Sequence, residues 1–355
     1  MHDNAALSVS IRKRLPGFTL DVAFTASPQE TLALLGASGC GKSLTLQCIA
    51  GILRPDSGSI TLGAQVLFDS EKGINLSPQR RRVGYMFQNY ALFPNMTVLQ
   101  NVAAGVRAPS RDEKIAAAKC WIETVRAGGL ENRRPLELSG GERQRVALAR
   151  MLASEPKAIL LDEPFSALDD YLRWQLELEL SDTLRKLGLP SVFVSHSRDE
   201  VYRLSDKVCV LDRGRGEAAR DVRSLFHAPE TLSAALISGC KNYSRAEALP
   251  SGKIYAPDWG AELTVADKIP DGLRYVGVRA HFVRPAEAEG ENVFDCEVER
   301  VVDDVFGTVI MLKTAGGDTG YSLLRAEMQK ETWNSLNSPE KLRIRLAPRD
   351  IMLLR

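Results

Sequence analysis

At 355 residues the chain has room for about two domains with substantial cores. Its 46 Lys and Arg against 45 Asp and Glu give a formal charge of +1, which argues against nucleic-acid binding through a broad basic field and against a polyanionic tail. The 44% hydrophobic and 26% charged fractions are those of globular proteins and exclude wholesale disorder, a collagen-like repeat and a coiled-coil rod.

In chain order, the first expected element is a short apolar strand from Glu30 to Leu35, broken by Gly36 and followed by a helix from Lys42 to Ile52. The stretch from Val83 to Val106 carries no charge, but Gln88, Asn89, Asn95, Gln100, Asn101, Pro94 and two glycines exclude a membrane-spanning helix. Helices are expected over Asp112 to Ala127 and Gly141 to Ala153, as an insertion of about residues 89–155. Buried strands follow at Ala158 to Leu161 and Ser191 to Val194, separated by a helix over Tyr171 to Leu187. Near-continuous apolar strands alternating with helices indicate a parallel sheet covered on both faces.

Beyond about residue 230 the pattern changes to short alternating runs, among them Tyr275 to Arg279, Asp295 to Val302, Thr308 to Leu312 and Lys341 to Leu346. They read as a small β domain of barrel type. The expected division is an α/β domain over 1–235 and an all-β domain over 240–355. The six cysteines form no CxxC pair, and the first residues lack a basic segment followed by an apolar one. The chain therefore reads as reduced and cytosolic, without a disulfide framework, zinc knuckle or secretion signal.

Three segments carry chemistry. Gly36-Ala37-Ser38-Gly39-Cys40-Gly41-Lys42-Ser43 fits the phosphate-binding loop pattern G-x-x-x-x-G-K-[ST] in its strand-to-helix setting. Such a loop converges backbone N–H groups on phosphate oxygens at a helix N-terminus; Lys42 is expected at the β- and γ-phosphates and Ser43 at Mg²⁺. An ordinary glycine turn is the competing reading, and Lys42 and Ser43 in register weigh against it. The strand Ala158 to Leu161 ends in Asp162 and Glu163, expected to hold the metal through water and to act as general base. Alone, that pair would equally suit a solvated acidic turn. Leu138-Ser139-Gly140-Gly141-Glu142 completes the set, with Ser139 a sound helix N-cap.

Together these motifs resemble the nucleotide-binding subunits of ATP-binding cassette (ABC) transporters. The resemblance covers about residues 30–215 and implies an α/β P-loop NTPase cassette with a helical insertion subdomain. It places Ser139, Gly140 and Gly141 against ATP bound to the opposite subunit of a head-to-tail homodimer. Gln88 matches the Q-loop that senses Mg²⁺ and γ-phosphate, Asp169 the D-loop, and His196 the switch histidine. ATP and Mg²⁺ are the implied cofactors. The implied partners are two transmembrane permease subunits and, indirectly, an extracytoplasmic substrate-binding protein, with the chain peripheral at the cytoplasmic face of the membrane. Coupling contacts are expected between Asn89 and Val102, where Tyr90, Leu92, Phe93, Pro94 and Met96 cluster.

One position departs from the family pattern. The aromatic that often stacks on adenine has no clear counterpart in Arg12-Lys13-Arg14-Leu15-Pro16-Gly17-Phe18, so Phe18 is a displaced substitute or a core residue, and Leu15 an apolar contact. The segments Val66 to Ile74 and Gly73 to Tyr85 resemble molybdate importers, with sulfate importers close behind; iron(III), polyamine and sugar importers are the alternatives within the class. Soluble cassette ATPases of translation or repair usually carry two cassettes or a long coiled-coil insertion, and neither is visible. The segment Ser238 to Ser244 and the tail resemble the oligonucleotide-binding-like (TOBE/Mop-type) accessory domain of such importers. Lys241, Ser244 and Arg279 are its candidate oxyanion donors, against the commoner reading of solvated surface.

Overall fold

Apolar and polar residues alternate along Leu7–Leu15 (β1) and Phe18–Ala26 (β2), and in the computed structural model these segments form an antiparallel hairpin. Leu7, Val9, Ile11, Leu20, Val22 and Phe24 point into the core while Ser10, Arg12 and Asp21 are exposed. The hairpin is an addition to the expected elements, although its period-two pattern is present in the sequence. The structure describes residues 5–166, 170–316, 323–337 and 339–355.

The chain continues through Thr31–Gly36 (β3), Lys42–Ala50 (α1), Ser57–Leu62 (β4), Gln65–Asp69 (β5), Ile74–Asn75 (β6), Pro78–Arg81 (α2) and Val83–Met86 (β7). An insertion of Val98–Ala103 (α3), Arg111–Thr124 (α4) and Gly140–Leu152 (α5) precedes Ala158–Asp162 (β8), Asp170–Leu187 (α6), Ser191–Ser195 (β9), Arg198–Leu204 (α7) and Lys207–Asp212 (β10). Two-residue strands at Arg215–Gly216 (β11) and Arg220–Asp221 (β12) complete this part.

The sheet runs in the order β6-β5-β4-β1-β2-β11-β10-β3-β9-β8-β7, with β12 paired to β10. Its half around β10, β3, β9, β8 and β7 is parallel. Every residue of β3, β8 and β9 is buried, which is why those strands read as unbroken apolar runs. Their parallel course brings Gly36, Asp162 and Ser195 to the same C-terminal edge of the sheet, where open α/β sheets bind ligands. The insertion helices start at side-chain caps: Thr97 bonds back to Gln100, Ser110 to Glu113 and Ser139 to Glu142.

The chain divides into two compact units after Val222, the second being Arg223–Arg355. That break precedes residue 235 because Leu232–Ile237 packs, through Leu232 and Ala235, with Cys240, Tyr275 and Leu354 of the second unit. The strands of this unit form three antiparallel sheets, of three, three and five strands. Trp259, Ile310, Leu324 and Ile344 lie at the heart of their common core. Short helices at Leu232–Ile237 and Lys330–Ser335 accompany the strands. Among the described residues no helix is long and apolar enough to cross a membrane.

Candidate nucleotide site

Gly36 ends β3 at a place where a Cβ atom would lie 2.3 Å from the Leu211 carbonyl oxygen, so only glycine lets the chain turn there. Gly41 takes φ +108°, and α1 begins immediately afterwards with its N–H groups free to meet an anion. The Lys42 ammonium, 6% exposed, donates to the Gly36 and Ala37 carbonyls at 2.7 and 3.0 Å. A cleft of about 600 Å³ opens here, lined by Ser38, Gly39, Gly41, Lys42, Ser43, Leu44, Gln88, Glu163 and His196.

Of the expected loop residues, Gly36, Ala37 and Cys40 lie outside that lining. Gly36 and Ala37 hold Lys42, and Cys40 is buried with Sγ 4.0 Å from the Lys42 ammonium. Burial pushes the Cys40 thiol up against the opposing pull of Lys42, so it is an inert wall of the loop.

The acidic residues take separate places. Asp162, 6% exposed at the end of β8, accepts the Ser43 hydroxyl at 2.8 Å on Oδ1 and the Tyr85 hydroxyl at 2.8 Å on Oδ2. Glu163 turns into the left-handed region at φ +44°, its N–H donating to the Val194 carbonyl of β9. Its carboxylate accepts from Gln88 Nε2 at 2.9 Å and lies 3.5 Å from His196 Nδ1. Residues of β8, the loop after β7 and the end of β9 therefore converge on one carboxylate facing the phosphate loop.

Ser43 and Asp162 suit a divalent cation that keeps most of its water. One hydroxyl and one carboxylate make too few ligands for a closed protein cage, and among the described residues no cluster of three or more His, Cys, Asp or Glu side chains could hold a metal. That donor set fits Mg²⁺, which binds through one or two protein oxygens plus substrate phosphates.

Ser139, Gly140 and Gly141 do not line this cleft. Ser139 is exposed and forms a reciprocal cap with Glu142, at 3.3 Å and 2.7 Å, leaving the N-terminus of α5 facing outward. Asp169 lies outside the described residues. Phe18 packs against the main core with its ring beside Gly41, since a Cβ there would sit 3.5 Å from it.

The uncharged stretch after Gln88 divides by burial. Tyr90 is buried and donates to the Pro164 carbonyl at 3.2 Å, next to Glu163, whereas Phe93, Pro94 and Met96 are exposed. Buried Asn101 shapes that surface by donating to the Phe93, Met96 and Thr97 carbonyls. In the second unit the oxyanion-donor reading is corrected. Ser244 is buried and bonded to Arg245 and Asp258, and Arg279 donates to the Ser238 and Phe226 carbonyls, so both serve packing; Lys241 is exposed.

Sequence reasoning left Tyr85 and Arg150 without roles. Arg150 donates to the Tyr90 and Ala91 carbonyls from 60 and 59 residues away, a partnership no local pattern announces.

Comparison with known proteins agrees with this geometry. A family described as ABC transporter matches residues 20–166. The molybdenum import ATP-binding protein ModC of Paramagnetospirillum magneticum is 40% identical over 223 residues, covering 63% of this chain and 61% of that protein, so the chain is matched over less than two thirds of that relative's length. The spermidine/putrescine import ATP-binding protein PotA of Methylococcus capsulatus is 37% identical over 337 residues, covering 90% of this chain and 83% of that protein. Among solved structures, a dimeric ATP-binding cassette in a post-hydrolysis state with ADP and Pi superposes with a TM-score of 0.52 at 26% identity, covering 61% of this chain and 99% of that one.

Proposed function

The chain belongs to the ABC transporter family, and from that premise we propose that it is the ATP-hydrolysing subunit of an importer, with molybdate or tungstate as cargo. The observation that carries the catalytic reading is the Glu163 carboxylate, held by Gln88 and His196 across the cleft from Lys42 and Ser43.

The N–H groups of the phosphate loop and Lys42 bind the β- and γ-phosphates of ATP, and Leu44 adds an apolar wall. Ser43 and Asp162 would hold Mg²⁺, which would offset charge on the phosphate oxygens. Glu163 takes the proton of the attacking water as general base, and Gln88 keeps its carboxylate turned toward the γ-phosphate position. His196, 3.5 Å from that carboxylate and largely exposed, is placed to donate to a γ-phosphate oxygen.

Exposed Ser139 and half-buried Gly140, with Gly141 buried behind them at the start of α5, supply the second half of each site in a head-to-tail homodimer. Asp169 joins them in that arrangement. The dimeric relative supports this reading. Exposed Phe93, Pro94 and Met96 support a surface for docking a permease subunit, with the chain peripheral at the cytoplasmic membrane face. Likeness to ModC and the loop Val66 to Ile74 favour an oxyanion delivered by an extracytoplasmic binding protein. A polyamine is the second reading, favoured by PotA's match over most of the chain.

The test is ATPase activity of the permease complex in lipid with its binding protein, titrated with molybdate, tungstate, sulfate and spermidine. Stimulation by molybdate or tungstate is expected, and response to spermidine alone would replace the cargo. In the same assay Glu163→Gln keeps ATP binding, accumulates a closed dimer and loses on the order of 10²–10⁴-fold in turnover. Turnover close to wild type would remove Glu163 from its role.

A further inference from the structure

We propose that Tyr85 is a positioning residue for the metal side of the site: its hydroxyl aims Asp162 so that this carboxylate would hold Mg²⁺ through water while Ser43 ligates it. The inference rests on the Mg²⁺–ATP reading above and adds one residue to it.

Asp162 has two oxygens and each meets a different donor, Ser43 on Oδ1 and Tyr85 on Oδ2, both at 2.8 Å. With both oxygens engaged, the carboxylate plane cannot swing, and the remaining lone pairs face in fixed directions. Tyr85 stands on β7, paired with Leu160 on the neighbouring β8, and its ring reaches along the strand to the end where Asp162 sits. The ring is itself fixed, packed edge-on against Phe87 with centroids 4.4 Å apart.

Tyr85 has one proton and gives it to Asp162. The bonds therefore form one circuit from Ser43 on α1 through Asp162 at the end of β8 to Tyr85 on β7, joining the phosphate-loop helix, the metal carboxylate and the strand leading to Gln88.

The circuit predicts a split that general loosening would not produce. In the full chain Tyr85→Phe keeps the ring and its packing and removes one oxygen. Affinity for a fluorescent ATP analogue is measured with Mg²⁺ and with EDTA, beside the thermal midpoint. Affinity with Mg²⁺ is expected to fall about tenfold, and the Mg²⁺ concentration for half-maximal effect to rise, while metal-free affinity stays within about twofold.

Equal losses with and without Mg²⁺, or no loss in either, would overturn the Tyr85 assignment. Wild-type binding that ignores Mg²⁺ would overturn the metal reading of Ser43 and Asp162, and Tyr85's role with it.

Discussion

Glu142 sits at the first turn of α5, where its carboxylate accepts the Ser139 N–H while its own N–H bonds the Ser139 hydroxyl. That backbone hydrogen bond, followed in size by an opposing burial cost, holds its pKa below the ordinary carboxylate value. A depressed folded-state pKa means stabilisation that is present above the unfolded value and lost as pH falls through the folded one. Glu142 is half-buried at the surface, where solvent still screens it, so the contribution is under about 1 kcal/mol. Glu142→Ala should therefore be less stable than wild type at pH 7, with the gap closing as pH drops below about 4. Denaturant melts across pH check this; a gap independent of pH would show that the carboxylate charge plays no part in the cap. Ser139 was legible as a cap because S-x-x-E is a local pattern. Tyr85 was not, because its partner Asp162 lies 77 residues away and β7 looks the same with any half-buried aromatic there.

At the scale of elements, α1 is short and held at both ends by different means. Its N-terminus opens on the glycine loop, and its C-terminal carbonyls are capped by a buried cation. The Arg81 guanidinium, 0% exposed, donates to the Cys48 and Ile49 carbonyls at 2.8 Å each, the Leu76 carbonyl at 2.9 Å and Asn75 Oδ1 at 2.8 Å. No carboxylate is among these four acceptors, so the negative end of the helix dipole and the amide oxygen balance the charge. Burial draws the Arg81 pKa down without neutralising the group. Gly51 is required beside it, because a Cβ there would lie 2.5 Å from Arg81 Nε. Arg81→Leu should cost about 3 kcal/mol by leaving buried carbonyls unpaired, and Arg81→Lys should recover only part because an ammonium cannot fork to four acceptors. Urea unfolding of the two variants tests this; a loss below about 0.5 kcal/mol for Arg81→Leu would mean that water reaches those carbonyls.

At the scale of the whole molecule, two separate cores imply two stability domains. The first unit's core includes Leu32, Leu34, Leu160 and Val192, and the second unit's includes Trp259, Ile310 and Ile344. Ligand binding stabilises the unit that binds, by about 2.7 kcal/mol at a hundred times Kd. Calorimetry should show two transitions, with Mg²⁺–ATP raising only the one belonging to the unit through Val222. A single transition that moves as a whole with ATP would show that the units unfold together.

Features set by near neighbours were readable in the linear sequence: the phosphate loop between a strand and a helix, the apolar strand ending in Asp162-Glu163, the cap at Ser139 and the change to β character near residue 230. Each depends on residues a few positions apart, where φ/ψ preference and side-chain periodicity act directly. Tertiary structure decided the rest. Which strands pair, that Gln88 and His196 meet Glu163, that Tyr85 and Ser43 share Asp162, and that Ser244 and Arg279 serve packing are contacts across tens of residues. Such partners are chosen by the geometry of the finished sheet and by the need to satisfy buried polar groups, and neither is expressed in any single stretch of chain.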